Sequence, residues 1–102
     1  MEKTIERYFV SLCKKHGWQA VKLVSNNFNG LPDRLVLKDD GTVFFAELKN
    51  KDEKPRKLQS VIHKRLCQNG FRVYVIDGNG MADYVIREEV RLCSTAHMNT
   101  KK

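Results

Sequence analysis

The first 17 positions carry apolar side chains at the spacing of one helical face. Positions i, i+3, i+4, i+7 and i+8 are taken by Ile5, Tyr8, Phe9, Leu12 and Cys13. This spacing is typical of an amphipathic helix that packs against a core. A glycine directly after such a stripe is a common helix stop, so the pattern predicts a first helix that ends at His16-Gly17.

Three segments that read as strands follow this helix. We expect strands over 18–24, 33–38 and 42–49, because these segments are rich in β-branched and aromatic residues. Asp39-Asp40-Gly41 lies between the second and the third strand, and Asp-Gly in such a position is typical of a β-hairpin turn. The second and third strands are therefore predicted to pair antiparallel.

Helical spacing resumes after Pro55 and continues to Asn69-Gly70. The positions that follow it are Leu58, Val61, Ile62, Arg65 and Leu66. A fourth strand is expected over 71–76, a turn over 77–80 and a weaker helix over 83–92. The order αβββαβα predicts an α/β fold with one mixed sheet flanked by helices, in which the second helix makes a parallel crossover between strands three and four.

The length of 102 residues allows one modest domain, which we place over 1–93. The remaining residues, 94–102, lack apolar periodicity and are expected to fray. No apolar run approaches the roughly 20 residues that a membrane span needs. The three cysteines, at positions 13, 67 and 93, are an odd number without a Cys-x-x-Cys pair, so we expect small core residues rather than a disulfide framework.

The chain is basic, with 19 Lys and Arg against 12 Asp and Glu and a formal net charge of +7. Between positions 49 and 65 there are seven basic residues and two acids. A small domain with this balance attracts polyanions, so nucleic acid or another anionic surface is the partner class that composition favours.

The hairpin turn also sets which charged residues meet. If Gly41 takes the left-handed position of a three-residue loop, paired positions sum to 80 and Asp33 lies opposite Glu47. Opposed side chains have Cβ atoms about 4.5–5.5 Å apart, where two carboxylates repel unless a cation lies between them. Strand alternation puts Lys49 on the same face as Glu47. This set suits a hard divalent cation such as Mg²⁺, although Glu47 and Lys49 alone could form an ordinary charge pair on an edge strand.

The motifs Gly30-Leu31-Pro32-Asp33, Glu47-Leu48-Lys49 and a helical Gln59 occur in this order over most of the chain. The sequence thereby resembles the PD-(D/E)xK nuclease superfamily, and specifically the stand-alone virus-type replication-repair nuclease (VRR-NUC) domains. The resemblance implies an αβββαβ restriction-endonuclease-like core that binds Mg²⁺ or Mn²⁺. Asp33, Glu47 and the Leu48 carbonyl would bind the metal, Lys49 would stabilise developing charge, and Gln59 would orient the site.

The resemblance extends to an acidic residue on the first helix, which Glu6 matches. Glu6 would reach the metal through water, or it would merely interact with the positive end of the helix dipole. Basic and polar residues near the motifs would contact DNA. These are Lys51, Lys54, Arg56, Lys57, His63 and, from the first strand, Lys22.

The resemblance implies a metal-dependent endonuclease that acts on branched DNA, with a homodimer resolving four-way (Holliday) junctions. The expected location is the cytoplasm of a bacterial or phage-infected cell, without membrane contact. Three alternatives remain open. The chain could be a nucleic-acid-binding module that does not cleave, a monomeric nuclease that nicks flaps or single strands, or a structural subunit that keeps these residues as a salt-bridge network.

Overall fold

A computed structural model describes residues 3–24, 29–51 and 53–100, with side chains described from residue 4 to residue 92 within these ranges. Seven elements follow one another in the predicted order αβββαβα. They are α1 (Lys3–Lys15), β1 (Gln19–Lys22), β2 (Arg34–Leu37), β3 (Val43–Leu48), α2 (Lys57–Gln68), β4 (Val73–Ile76) and α3 (Asn79–Thr100).

The four strands form one mixed sheet in the order β1-β2-β3-β4. The first three strands are antiparallel to one another, while β4 pairs parallel with β3, so the predicted crossover through α2 is confirmed. In the hairpin, Arg34 pairs with Ala46 and Leu35 with Phe45, which is the predicted register. Gly41 has a φ of 87°, the left-handed conformation that a glycine adopts without penalty.

The core lies between one face of the sheet and the two helices α1 and α3. Phe44 projects from β3 into this layer and makes edge-to-face contacts with Phe9, Trp18 and Tyr74, at ring-centroid distances of 6.4, 6.0 and 5.5 Å. The Tyr8 hydroxyl donates a 2.6 Å hydrogen bond to Asp83 and so links α1 to α3. Each fully buried large apolar side chain contributes about 1.5–3 kcal/mol, so this layer is the main source of stability.

Helix α2 lies on the opposite face of the sheet, where alternation along β3 directs Glu47. The apolar stripe predicted for this helix is wrong in part, because Leu58 and Val61 are 50% and 47% exposed while Gln59 and His63 are buried beside Ile62. The helix turns a polar edge towards the ends of β2 and β3, where charged groups have to be covered. Apolar periodicity alone cannot detect this rotation.

Helix α3 is longer than predicted. It begins at Asn79 instead of residue 83, and its backbone is helical to Thr100. The expectation that 94–102 fray concerns residues whose side chains lie outside the described part of the chain. Within residues 3–24, 29–51 and 53–100, no helix combines the length and apolar composition needed to cross a membrane.

The two cysteines whose side chains are described differ in burial. Cys13 is buried in the core as predicted, and burial raises the pKa of its thiol to about 12. The prediction is wrong for Cys67, which is exposed on the outer side of α2. Cys93 lies outside the described side chains.

A buried ionic cluster occupies the end of the sheet where the hairpin turns. Glu89 of α3 is fully buried and accepts hydrogen bonds from Lys38 at 2.8 Å, from Arg72 and from the Tyr74 hydroxyl at 2.7 Å. Lys38 also donates to the backbone carbonyl of Glu89 at 2.9 Å and lies over the Trp18 ring. The cluster joins β2, β4 and α3, and it is far from the end of the sheet that carries Asp33 and Glu47.

Candidate active site

Asp33 and Glu47 meet at the end of the hairpin opposite its turn. The backbone N–H of Asp33 donates to Glu47 Oε1 at 3.1 Å, and the backbone N–H of Leu48 donates to Asp33 Oδ2 at 2.9 Å. The hairpin register therefore continues one residue beyond β2 and brings the two carboxylates together. The convergence predicted from the sequence is confirmed.

Two further side chains contact the same Glu47 carboxylate. Lys49 Nζ lies 3.2 Å from Glu47 Oε2, and Gln59 Nε2 donates to that oxygen at 2.8 Å. The other end of the Gln59 amide accepts a hydrogen bond from the backbone N–H of Arg56 at 3.0 Å. Gln59 is thus fixed at the first turn of α2 and holds Glu47 in one orientation.

Glu47 is almost completely buried, with 1% of its surface exposed. Burial raises its pKa, and the negative charge of Asp33 raises it further. The hydrogen bond and positive charge of Lys49 and the hydrogen bond of Gln59 act in the opposite direction. A carboxylate that is kept close to a second carboxylate in a buried position is unfavourable by itself. A cation between the two would relieve this cost.

The donor set fits a hard divalent cation. Asp33 and Glu47 would supply carboxylate oxygens, and Leu48, the residue after Glu47, would contribute its backbone carbonyl. No cluster of three or more His, Cys, Asp or Glu side chains that could hold a metal is found among the described residues. Mg²⁺ needs no such cluster, because it is commonly bound through one or two carboxylates, with water and phosphate oxygens completing its coordination.

A cleft opens beside Asp33. It has a volume of about 200 Å³ and is lined by Asp33, Gln59 and Arg56 together with the loop that carries Gly30. Gly30 has a φ of 92°, and a Cβ atom there would lie 2.8 Å from Ile62 Cγ1 of α2. Only glycine fits both constraints, which explains why the sequence has Gly30 three residues before Asp33.

His63 lies one turn after Gln59 on the buried side of α2. Its Nε2 atom is buried without a hydrogen-bond partner among the described residues. Burial and the positive charge of Lys49 lower the pKa of His63, while Asp33 acts in the opposite direction. His63 therefore presents a neutral imidazole near the charged groups of the site.

Glu6 forms an ion pair that was not predicted from the sequence. Arg34 donates to Glu6 Oε2 from Nε at 3.1 Å and from Nη2 at 2.8 Å, and its Nη1 donates to the Ala20 carbonyl at 2.7 Å. The Glu6 carboxylate is thus neutralised by a neighbour of Asp33 in sequence. Its role as a water-mediated metal ligand stays a prediction.

The basic residues predicted to contact DNA divide between two surfaces. Lys51, Lys54 and Lys57 are exposed around the start of α2, and Arg56 among them lines the cleft beside Asp33. Lys22 is exposed at the end of β1, where it lines a different groove. No sequence signal separated these two groups, since their separation depends on the pairing of β1 with β2.

A mixed sheet in which a hairpin brings Pro32-Asp33 next to Glu47-Leu48-Lys49 is the arrangement of the PD-(D/E)xK nucleases. A solved structure described as "VRR_NUC domain" matches the fold with a TM-score of 0.80 and 28% sequence identity, over 84% of this chain and 94% of that chain. A phage protein, "Putative nuclease p44" of Acyrthosiphon pisum secondary endosymbiont phage 1, is 40% identical over 81 residues, which is 79% of this chain and 87% of that protein. No protein-family model matches the chain. The chain belongs to the VRR-NUC nucleases.

Proposed function

We propose that this nuclease is an endonuclease that hydrolyses phosphodiester bonds in DNA and requires Mg²⁺ or Mn²⁺. The observation that carries the proposal is the buried Glu47 carboxylate, which lies beside Asp33 and is contacted by both Lys49 and Gln59. Two neighbouring acids would repel a phosphate group. A cation bound between the two acids would explain why they lie next to an ammonium group and a basic surface.

Asp33, Glu47 and the Leu48 carbonyl would hold the cation. When bound, it would activate water and stabilise negative charge on the phosphate. Lys49 keeps a positive charge beside the carboxylates, where it can stabilise charge that develops on the phosphate oxygens. Gln59 maintains the orientation of Glu47. The DNA contact predicted for His63 would require its buried side chain to become accessible.

The 3.2 Å contact between Lys49 and Glu47 also favours a second candidate, a nucleic-acid-binding module in which the two charges form a structural pair. A structural pair of Lys49 and Glu47 does not explain why Asp33 lies beside Glu47. The two candidates differ in metal binding, since a structural pair needs no cation. Isothermal titration with Mn²⁺ should show binding to the nuclease and none to such a module.

We further infer that the substrate is branched DNA, including four-way junctions, and that the protein acts as a homodimer. Two-fold symmetry in a dimer would match the two-fold symmetry of a junction. Apolar side chains remain exposed on this small domain and are available for a subunit contact. They include Val21, Leu37, Leu58, Val61 and Phe71. The 40% identity to a phage protein supports action in the cytoplasm of a bacterial or phage-infected cell.

Cleavage of a panel of end-labelled duplexes, flaps, forks and four-way junctions tests the proposal. In Mg²⁺ or Mn²⁺ we expect paired nicks in the junction, and in EDTA no cleavage. Light scattering after size-exclusion chromatography should give the mass of a dimer. A monomer that cuts flaps would contradict the junction and dimer parts, and intact DNA under all conditions would contradict the nuclease mechanism.

A further inference from the structure

A second groove runs between α1 and β1, outside the cleft that contains Asp33. Its volume is about 440 Å³. Arg7 and Lys14 line it from α1, and Lys22 lines it from the end of β1. All three side chains are exposed. The Glu6–Arg34 ion pair lines the same groove.

The groove carries a net positive charge. Glu6 is neutralised by Arg34, with 2.8 Å between Oε2 and Nη2. Arg7, Lys14 and Lys22 form no ion pair with any residue in the described part of the chain. Three positive charges therefore remain for an anionic partner. Val10 and the alkyl stems of the basic side chains account for the apolar part of the lining.

The spacing of these charges suits a linear polyanion. Arg7 and Lys14 are two helical turns apart on one face of α1, a rise of about 10 Å at about 1.5 Å per residue. One strand of a duplex advances about 3.4 Å along its axis for each phosphate. Arg7 and Lys14 can therefore reach phosphates about three positions apart, whereas a compact anion would contact only one of them.

The groove and the candidate active site lie on opposite faces of the sheet and approach each other where β1 ends. Lys22 lines the groove, and the next residue, Leu23, lines the cleft beside Asp33. The backbone N–H of Leu23 donates to the Asp33 carbonyl at 2.9 Å. Only one residue along the chain thus separates a side chain that lines the groove from one that lines the cleft. Arg56 and the other basic residues near the start of α2 lie across the cleft from it.

We propose that the groove between α1 and β1 binds the phosphate backbone of the DNA arm that leaves the active site. Arg7, Lys14 and Lys22 contact this arm, while the basic residues near α2 contact the DNA on the other side of the scissile bond. This assignment rests on the proposed function, since it requires that DNA occupies the cleft beside Asp33. It identifies the substrate as DNA with a double-stranded arm that continues past the cut.

A charge-matched pair of double variants tests the assignment. R7A/K14A removes two charges from the groove, while K15A/R87A removes two exposed charges, from α1 and α3, that do not line it. The affinity of each variant for a fluorescent four-way junction is measured in EDTA buffer over a range of salt concentrations. Melting temperatures check that both variants are folded.

The slope of log affinity against log salt should decrease in magnitude by about 1.8 in R7A/K14A, because each phosphate contact contributes about 0.9. The control should keep a slope close to that of the wild type. With junction arms too short to reach the groove, the wild type and both variants should share one slope. Equal slopes for the two double variants on long arms would overturn the groove assignment.

A cleavage assay on the wild type distinguishes failure of the groove assignment from failure of the proposed function. If the wild type cleaves DNA but the groove variants behave like the control, only the groove assignment fails. If the wild type neither binds nor cleaves DNA, the proposed function fails and the groove assignment fails with it.

Discussion

Replacing Glu89 by glutamine should destabilise the protein far more than replacing its neighbour Glu88. Glu89 and the Lys38 side chain are 0% and 1% exposed, and their charged atoms are 2.8 Å apart. Glu89→Gln would leave the Lys38 ammonium buried without a counter-charge. Removing one partner of such a pair typically costs about 3–5 kcal/mol. For a domain of this size, this corresponds to a decrease in melting temperature of roughly 15–30 °C.

Glu88→Gln is the matched control. Glu88 pairs with Arg91, whose side chain is 63% exposed, and exposed pairs contribute about 0–1 kcal/mol. Urea denaturation of the wild type and both variants at neutral pH gives the two free-energy differences. A third variant, K38M/E89Q, removes both buried charges and should be more stable than the sum of its single substitutions predicts.

The pH dependence provides an independent check. Burial alone would raise the pKa of Glu89, but hydrogen bonds from Arg72, Lys38 and Tyr74 outweigh this effect and lower it. The stabilisation is therefore present above the ordinary carboxyl pKa and is lost as the pH falls through the lowered value. The wild type should approach E89Q in stability at acidic pH. A Glu89→Gln cost no larger than that of Glu88→Gln would refute the reasoning.

Three more predictions concern the site. Gly30→Ala should lower the free energy of unfolding, measured by urea denaturation, clearly more than Gly41→Ala. Both glycines have a positive φ, but only Gly30 lies close to α2. Equal losses in the two variants would contradict this close contact. The pKa of Glu47 is raised in the folded protein, so folding favours its protonated form. In metal-free buffer, the difference in free energy of unfolding between the wild type and Glu47→Ala should therefore fall as the pH rises from the ordinary carboxyl pKa through the raised one. Mn²⁺ at ten times its Kd should then stabilise the wild type by about 1.4 kcal/mol and leave Glu47→Ala unchanged. A melting temperature of the wild type that does not respond to Mn²⁺ would count against the cation site.

The hairpin and its carboxylates could be predicted from the sequence because local rules determine them. The turn at Asp39-Asp40-Gly41 specifies the register, and a register error of one residue would have reversed the faces of β2. Once Lys38 is placed opposite Thr42, the meeting of Asp33 with Glu47 follows. Lys38 N–H donates to the Thr42 carbonyl at 2.9 Å in the structure, as this pairing requires.

Features that depend on distant contacts could not be predicted in this way. The exposure of Leu58 and Val61 depends on which edge of α2 covers the site, and Arg34 became the partner of Glu6 through the packing of α1. The cluster around Glu89 joins residues up to 51 positions apart. One signal was available, since Glu89 interrupts the apolar face that Val85, Ile86 and Val90 form on α3. A charge in that position needs a buried counter-charge.

We infer that Asp33 and Glu47 bind one divalent cation that is required for DNA cleavage. The most direct measurement is the cleavage rate of a labelled four-way junction in Mn²⁺ by the wild type, Asp33→Ala and Glu47→Ala, combined with the affinity of each protein for the same DNA in EDTA. We expect cleavage by the wild type alone, with DNA affinity in the two variants equal or higher because each has lost a negative charge. Cleavage by Glu47→Ala at the rate of the wild type would contradict the account.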